Sequence, residues 1–174
     1  MGIKNFNSED VEIHSLLESL GSDDGQERKK AREALVSKGK GVIDYLMELL
    51  NHPKHIYRWE AVKTLEEIAD PDSVPILIEA LDDNKGDVRW IAAEALVKIG
   101  LPSIKPLLTI LMEKTDSVFL LEGAHHVFFE LKEKEMLPAN FPVAQLLELL
   151  KNPEMNQSVK PLADKILNKF SFLP

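Results

Sequence analysis

Cysteine is absent from the 174 residues, which excludes disulfides, thiolate metal sites and cysteine nucleophiles. Aromatic residues are scarce at 6%, with two tryptophans and two tyrosines. The apolar content therefore falls to Leu, Ile, Val and Ala, a bias that favours helix over sheet. No apolar run approaches the roughly 18–20 residues of a membrane span, and no charged-then-apolar leader opens the chain. Met1-Gly2 lacks the Ser or Thr that a myristoylation signal wants at the sixth position, where Phe6 stands. These gaps predict a cytoplasmic protein with no membrane partner. Phosphate-binding glycine loops and a Gly-x-Ser-x-Gly elbow are also missing.

Positive charge is in short supply. The net charge is −8 and the pI is near 5.2, so approach to a phosphate backbone is repelled and a nucleic-acid partner is disfavoured. One short basic cluster, Arg28-Lys29-Lys30 with Arg32, is interrupted by Glu27 and Glu33 and reads as a solvated helix face.

What is present is a repeat. Hydrophobic residues at 44% and charged residues at 29% suit a folded domain with a sizeable core. Both tryptophans follow an arginine, Arg58-Trp59 and Arg89-Trp90, 31 positions apart (58 to 89). The same offset carries Ala61, Leu65 and Ile68 onto Ala92, Leu96 and Ile99. It also carries Ile43, Leu46 and Leu50 onto Val74, Leu77 and Leu81. An offset of 30 (28 to 58) places Arg28, Ala31 and Leu35 one unit earlier. A period near 30 is that of a solenoid array. A fourth unit starts at Ile104, Leu107 and Leu111. Its second half aligns in two ways, with Leu120 or Phe119 at the arginine place; Leu120 is preferred because it sets Gly123 and Ala124 where helices cross closely. A fifth follows a longer link, with Val143, Leu146 and Leu150, then Lys160, Ala163, Leu167 and Phe170 at the arginine, alanine, leucine and isoleucine places.

Each unit reads as two helices, because apolar residues recur at i, i+3, i+4 and i+7 in both halves. Gly39 and Gly100 are expected to end second helices, where glycine tolerates a left-handed cap. The expected division is an N-terminal tail at 1–9 and one domain at 10–174, with repeats near 10–39, 40–69, 70–100, 101–135 and 136–174. Counting the second helix from its arginine as zero, places −1, +3, +4, +7 and +10 form the apolar side. Places +1, +2, +5 and +9 lie opposite. Both tryptophans stand at +1, where a large aromatic has no folding reason to be.

The stretch "DSVPILIEALDDNKGDVRWIAAEALVKIG" resembles a HEAT repeat, of the bacterial and archaeal HEAT-like type found in phycobilin lyase subunits. The resemblance covers roughly residues 10–170. It implies an all-α, right-handed α-solenoid of about five two-helix repeats, with second helices lining a concave groove that binds a protein or peptide. Carried over place by place, it puts Trp59, Glu60, Lys63, Trp90, Ile91, Glu94, Leu121 and His125 in that groove, with Glu67, Lys98, Glu122 and Phe129 beside them. Arg28, Arg58 and Arg89 become structural ties between neighbouring repeats.

No catalytic constellation and no cofactor site are found. His52 and His55 share a turn without a third ligand, and His125-His126 have only Glu122 nearby as an orienting acid. The di-iron hydroxylase branch of the family relies on His-Glu pairs, and this chain contains no His-Glu dipeptide. The expectation is a non-enzymatic scaffold. The alternative is an enzyme or enzyme subunit of the HEAT-like class, a chromophore lyase component or a DNA-repair glycosylase. Phe170, Phe172 and Leu173 form an apolar end that suggests self-association.

Overall fold

The computed structural model describes residues 8–171. Ten helices follow one another along the chain, two to each unit: α1 Ser8–Ser19 and α2 Gly25–Lys38; α3 Ile43–Leu49 and α4 His55–Ile68; α5 Val74–Ala80 and α6 Gly86–Ile99; α7 Ile104–Glu113 and α8 Val118–Glu133; α9 Val143–Lys151 and α10 Asn156–Lys169. Short 3-10 turns lead into α3, α5, α7 and α10. α1 starts at Ser8, two residues inside the stretch expected to be a tail.

The local causes are visible in the sequence. Asp24, Asp70 and Ser117 cap helix or 3-10 starts by accepting backbone N–H bonds from Gln26, Asp72 and Leu120, which satisfies otherwise orphaned donors. Gly39 and Gly100 close α2 and α6 at φ of 58° and 80°. At the matching place after α4 the left-handed cap falls to Ala69, at φ 54°, a conformation less favourable for a residue with a Cβ.

The second helices α2, α4, α6 and α8 stack side by side as one layer, termed inner after the expected repeat, and each of the first three pairs with the shorter helix before it. Such pairs cannot bury their apolar faces alone, so stacking builds one continuous core. Leu35, Leu65 and Leu96 are fully buried along it, as are Leu46, Leu77 and Leu107 from the outer helices. The result is an all-helical repeat solenoid.

Two features depart from the expected repeat. In the fourth unit neither Leu120 nor Phe119 takes the arginine place. Arg28, Arg58 and Arg89 are each the fourth residue of their helix, and in α8 that residue is Leu121. Ala124 then matches Ala31, Ala61 and Ala92, and Phe128 matches Leu35, Leu65 and Leu96, all buried. The shift arises because first helix and turn together take 14 positions (104 to 118), against 12 (74 to 86) in the unit before.

The last pair is inverted. α9 packs against α8 in the inner layer, and α10 packs against α7 in the outer one. Ala163 and Phe170 are buried, but α10 is not the inner helix that the repeat pattern predicts. The connection between α8 and α9 makes this possible. Glu135 and Asn140 adopt positive φ there, and Phe141 inserts between Phe128 and Phe170, at centroid distances of 6.1 and 5.4 Å. Phe170 thus belongs to an internal aromatic cluster. Phe172 and Leu173 lie outside the described residues.

Candidate functional site

The arginines recur because each joins the turn before its own helix to the unit that follows. Arg28 Nη1 donates to the carbonyls of Ser22 and Asp23, and its Nε to Glu60 Oε1 at 3.0 Å. Arg58 Nη1 donates to the carbonyls of His52 and Pro53. Its Nε and Nη2 fork onto Asp83 at 2.7 and 3.1 Å, and Nη2 also reaches Asn84. Burial pushes the Asp83 carboxyl up, but the bonds from Arg58 and the Lys85 N–H outweigh it and hold the acid below its ordinary range. The same hydrogen bond raises the Arg58 guanidinium. Arg89 Nη1 donates to the Asp83 carbonyl at 2.8 Å, but its guanidinium then lies over the ring of Phe119, 3.8 Å from the centroid.

Glu60, expected to face the groove, is 2% exposed. Its two oxygens are held by Arg28 and by Arg32 Nη1 at 2.5 Å. Arg32 also reaches Glu67 at 2.9 Å. An opposite-face place is open on an isolated helix, but here α2 lies over it. Lys63 pairs with Glu66 at 2.6 Å, and Lys98 lies 3.6 Å from Glu66. Trp59 and Ile91 are half-buried and packed on the core. Leu121 is 3% exposed, because it fills the arginine place rather than the one after it.

The face expected to bind a partner opens at the third and fourth units. Trp90 is 58% exposed and Phe119 is 42% exposed, and both line a cavity of about 260 Å³ between α6 and α8. Glu122 and His126 complete its wall. His126 stands behind Trp90, with ring centroids 4.5 Å apart, and its Nε2 is 2.6 Å from Glu94 Oε1. Glu94 is thus held by a histidine that alignment on Leu120 placed elsewhere. A second cavity of about 310 Å³ continues past Glu122 between α8 and α9, lined by Val118, His125 and Lys151. Burial, with the charges of Lys151 and His126, lowers the pKa of His125. That ring lies parallel to Phe129, 6.3 Å away.

Of the expected groove residues, the structure brings Trp90, Glu94 and His125 to this open region. Glu60 and Leu121 are placed inside. Phe119, Arg32 and the His126–Glu94 contact were not anticipated. Phe119 could have been found from the cap, since Ser117 before an apolar run marks the helix start.

His55 Nε2 is 2.9 Å from each oxygen of Asp87, whereas the His52 ring lies tilted against Tyr57, centroids 4.1 Å apart. The two histidines of that turn therefore serve different neighbours. Among the described residues no group of three or more His, Asp or Glu is arranged to hold a metal ion. No single described helix is long and apolar enough to cross a membrane.

Fold and site together define a stacked helical-repeat protein with an aromatic inner edge. A family model described as HEAT repeats matches residues 43–124, from the start of α3 to the alanine place of α8, and this supports a HEAT-repeat family. No curated protein matches the chain.

Proposed function

We propose that this protein is a non-enzymatic scaffold that binds a protein or peptide along the inner face of its stacked repeats. HEAT repeats commonly serve such roles, and the resemblance to the bacterial and archaeal HEAT-like type is part of this reading. The observation that carries it is the exposure of Trp90 beside Phe119 on helices that are otherwise well packed. Large aromatics held rigidly at an open cleft are typical interaction hot spots. Because the stacked helices pre-order them, little further ordering is needed on this side. The charge pattern favours protein over nucleic acid as the partner: Arg28 and Arg32 of the basic cluster are turned onto Glu60 and Glu67.

A phage-displayed random-peptide library selected on the full chain tests the proposal. Expected are peptides whose affinity drops about ten-fold or more in Trp90→Ala, with little change in thermal midpoint. If no selected peptide depends on Trp90 or Phe119, the reading fails.

A further inference from the structure

Arg28 and Arg58 use their guanidinium groups in the same two ways. Nη1 caps carbonyls of the turn before the helix, and the Nε side turns to a carboxylate of the next unit. Arg58 shows the full arrangement, with Nε and Nη2 both on Asp83. Arg89 keeps the first half, with Nη1 on the Asp83 carbonyl. The second half is missing. Where the next unit should offer an acid it offers the face of Phe119, and among the described residues no carboxylate pairs with Arg89. Stacking on a ring uses the flat face of a guanidinium and leaves its in-plane N–H groups available. Nε and Nη2, the edge that Arg58 gives to Asp83, is the edge left open, and Arg89 lines the cavity between Trp90 and Phe119.

We propose that the missing carboxylate comes from the partner. The groove takes an acidic peptide segment, with an Asp or Glu side chain on the open edge of Arg89 and a neighbouring apolar side chain between Trp90 and Phe119. This rests on the peptide-binding reading above and adds the chemistry of the ligand. Planar, bidentate recognition of a carboxylate is what the arginine fork does best. Glu122 lines the same cavity and opposes the charge of Arg89. An acidic ligand is repelled by Glu122 and a basic one is attracted, so Glu122 separates the two.

The test takes peptides from the same library selection, fluorescein-labelled, and measures them by anisotropy against the full chain. Trp90-dependent peptides should carry Asp or Glu beside an aliphatic or aromatic residue. Changing that acid to its amide should weaken binding about ten-fold or more, Arg89→Gln should do the same, and the two changes together should cost little more than either alone. Glu122→Gln, an exposed change, should tighten binding about two-fold or more, and added salt should weaken it. The Glu122 arm stands even if Arg89→Gln loosens the fold. Trp90-dependent peptides that are basic or neutral, and indifferent to Arg89→Gln, would overturn the acidic ligand and leave the peptide-binding reading standing. Finding no Trp90-dependent peptide would remove that reading as well. A dimer in light scattering that Arg89→Gln dissolves would give the groove to a second copy of this chain, and would also overturn the proposal.

Discussion

Arg58 holds Asp83 across the seam between the second and third units with two bonds from one edge of its guanidinium, 2.7 and 3.1 Å long. Both side chains are about nine-tenths buried, so each is the other's main replacement for water. Removing one partner strands the other charge, which generally costs more than the intact pair contributes. Asp83→Asn is expected to destabilise the fold by about 2–3 kcal/mol in urea unfolding. The acid has a lowered folded pKa, so its contribution is present above the ordinary value of 3.8 and is lost as pH falls through the folded value. The gap between wild type and Asp83→Asn should therefore narrow below about pH 4. A constant gap down to pH 2 would mean that the charge of Asp83 is not what matters.

Gly123 marks a close crossing. A Cβ there would stand 2.8 Å from Cδ2 of Leu81 and 3.3 Å from its Cβ, and Leu81 is fully buried. Alanine normally improves a helix interior by up to about 1 kcal/mol over glycine. Here overpacking should win, so Gly123→Ala should lower stability by about 1–2 kcal/mol. A stabilised variant would mean that Leu81 has room to move.

Trp59 and Trp90 occupy the same repeat place but differ in burial, since Trp59 is half-buried against the core and Trp90 is 58% exposed. Trp59→Ala should cost about 2–3 kcal/mol in chemical unfolding, and Trp90→Ala under about 1 kcal/mol. Equal losses would contradict the difference in packing.

His125 gives the inner face a pH response. Burial and the nearby charges of Lys151 and His126 lower its folded pKa from the ordinary value of 6.5. Above 6.5 both folded and unfolded forms are neutral. As pH falls below it, the unfolded chain takes up a proton first and stability declines. His125→Gln should remove that part of the decline between about pH 6.5 and 5. Thermal midpoints of the two proteins across that window check it, and parallel curves would rule it out.

The first three units could be read from the chain because their spacing hardly varies and each arginine marks a helix start. The fourth could not, since Phe119, Leu120 and Leu121 are all apolar and two extra residues slip the register without a visible gap. Glu60 departs from the expected groove position for a different reason. A helical wheel treats one helix in isolation, and the side it shows as open is covered when Arg28 and Arg32 arrive from α2. The inversion of α9 and α10 was also invisible, because an apolar stripe fits an inner or an outer layer equally well. Within the groove, Trp90 stood out by its place, whereas His126 came into view only with the corrected register.

The inverted last pair changes how the chain winds. Through α8 the polypeptide runs from outer to inner layer in every unit, like a thread always laid in the same sense. After the Phe141 insertion it runs from inner to outer, so the coil doubles back. One helix hairpin thereby seals two exposed edges at once, α9 closing the end of the inner layer and α10 the end of the outer. A deletion at the expected repeat boundary after Glu135 would remove both closures together. Removing α9 and α10 would thus uncover the buried faces of α8 and α7 in one step.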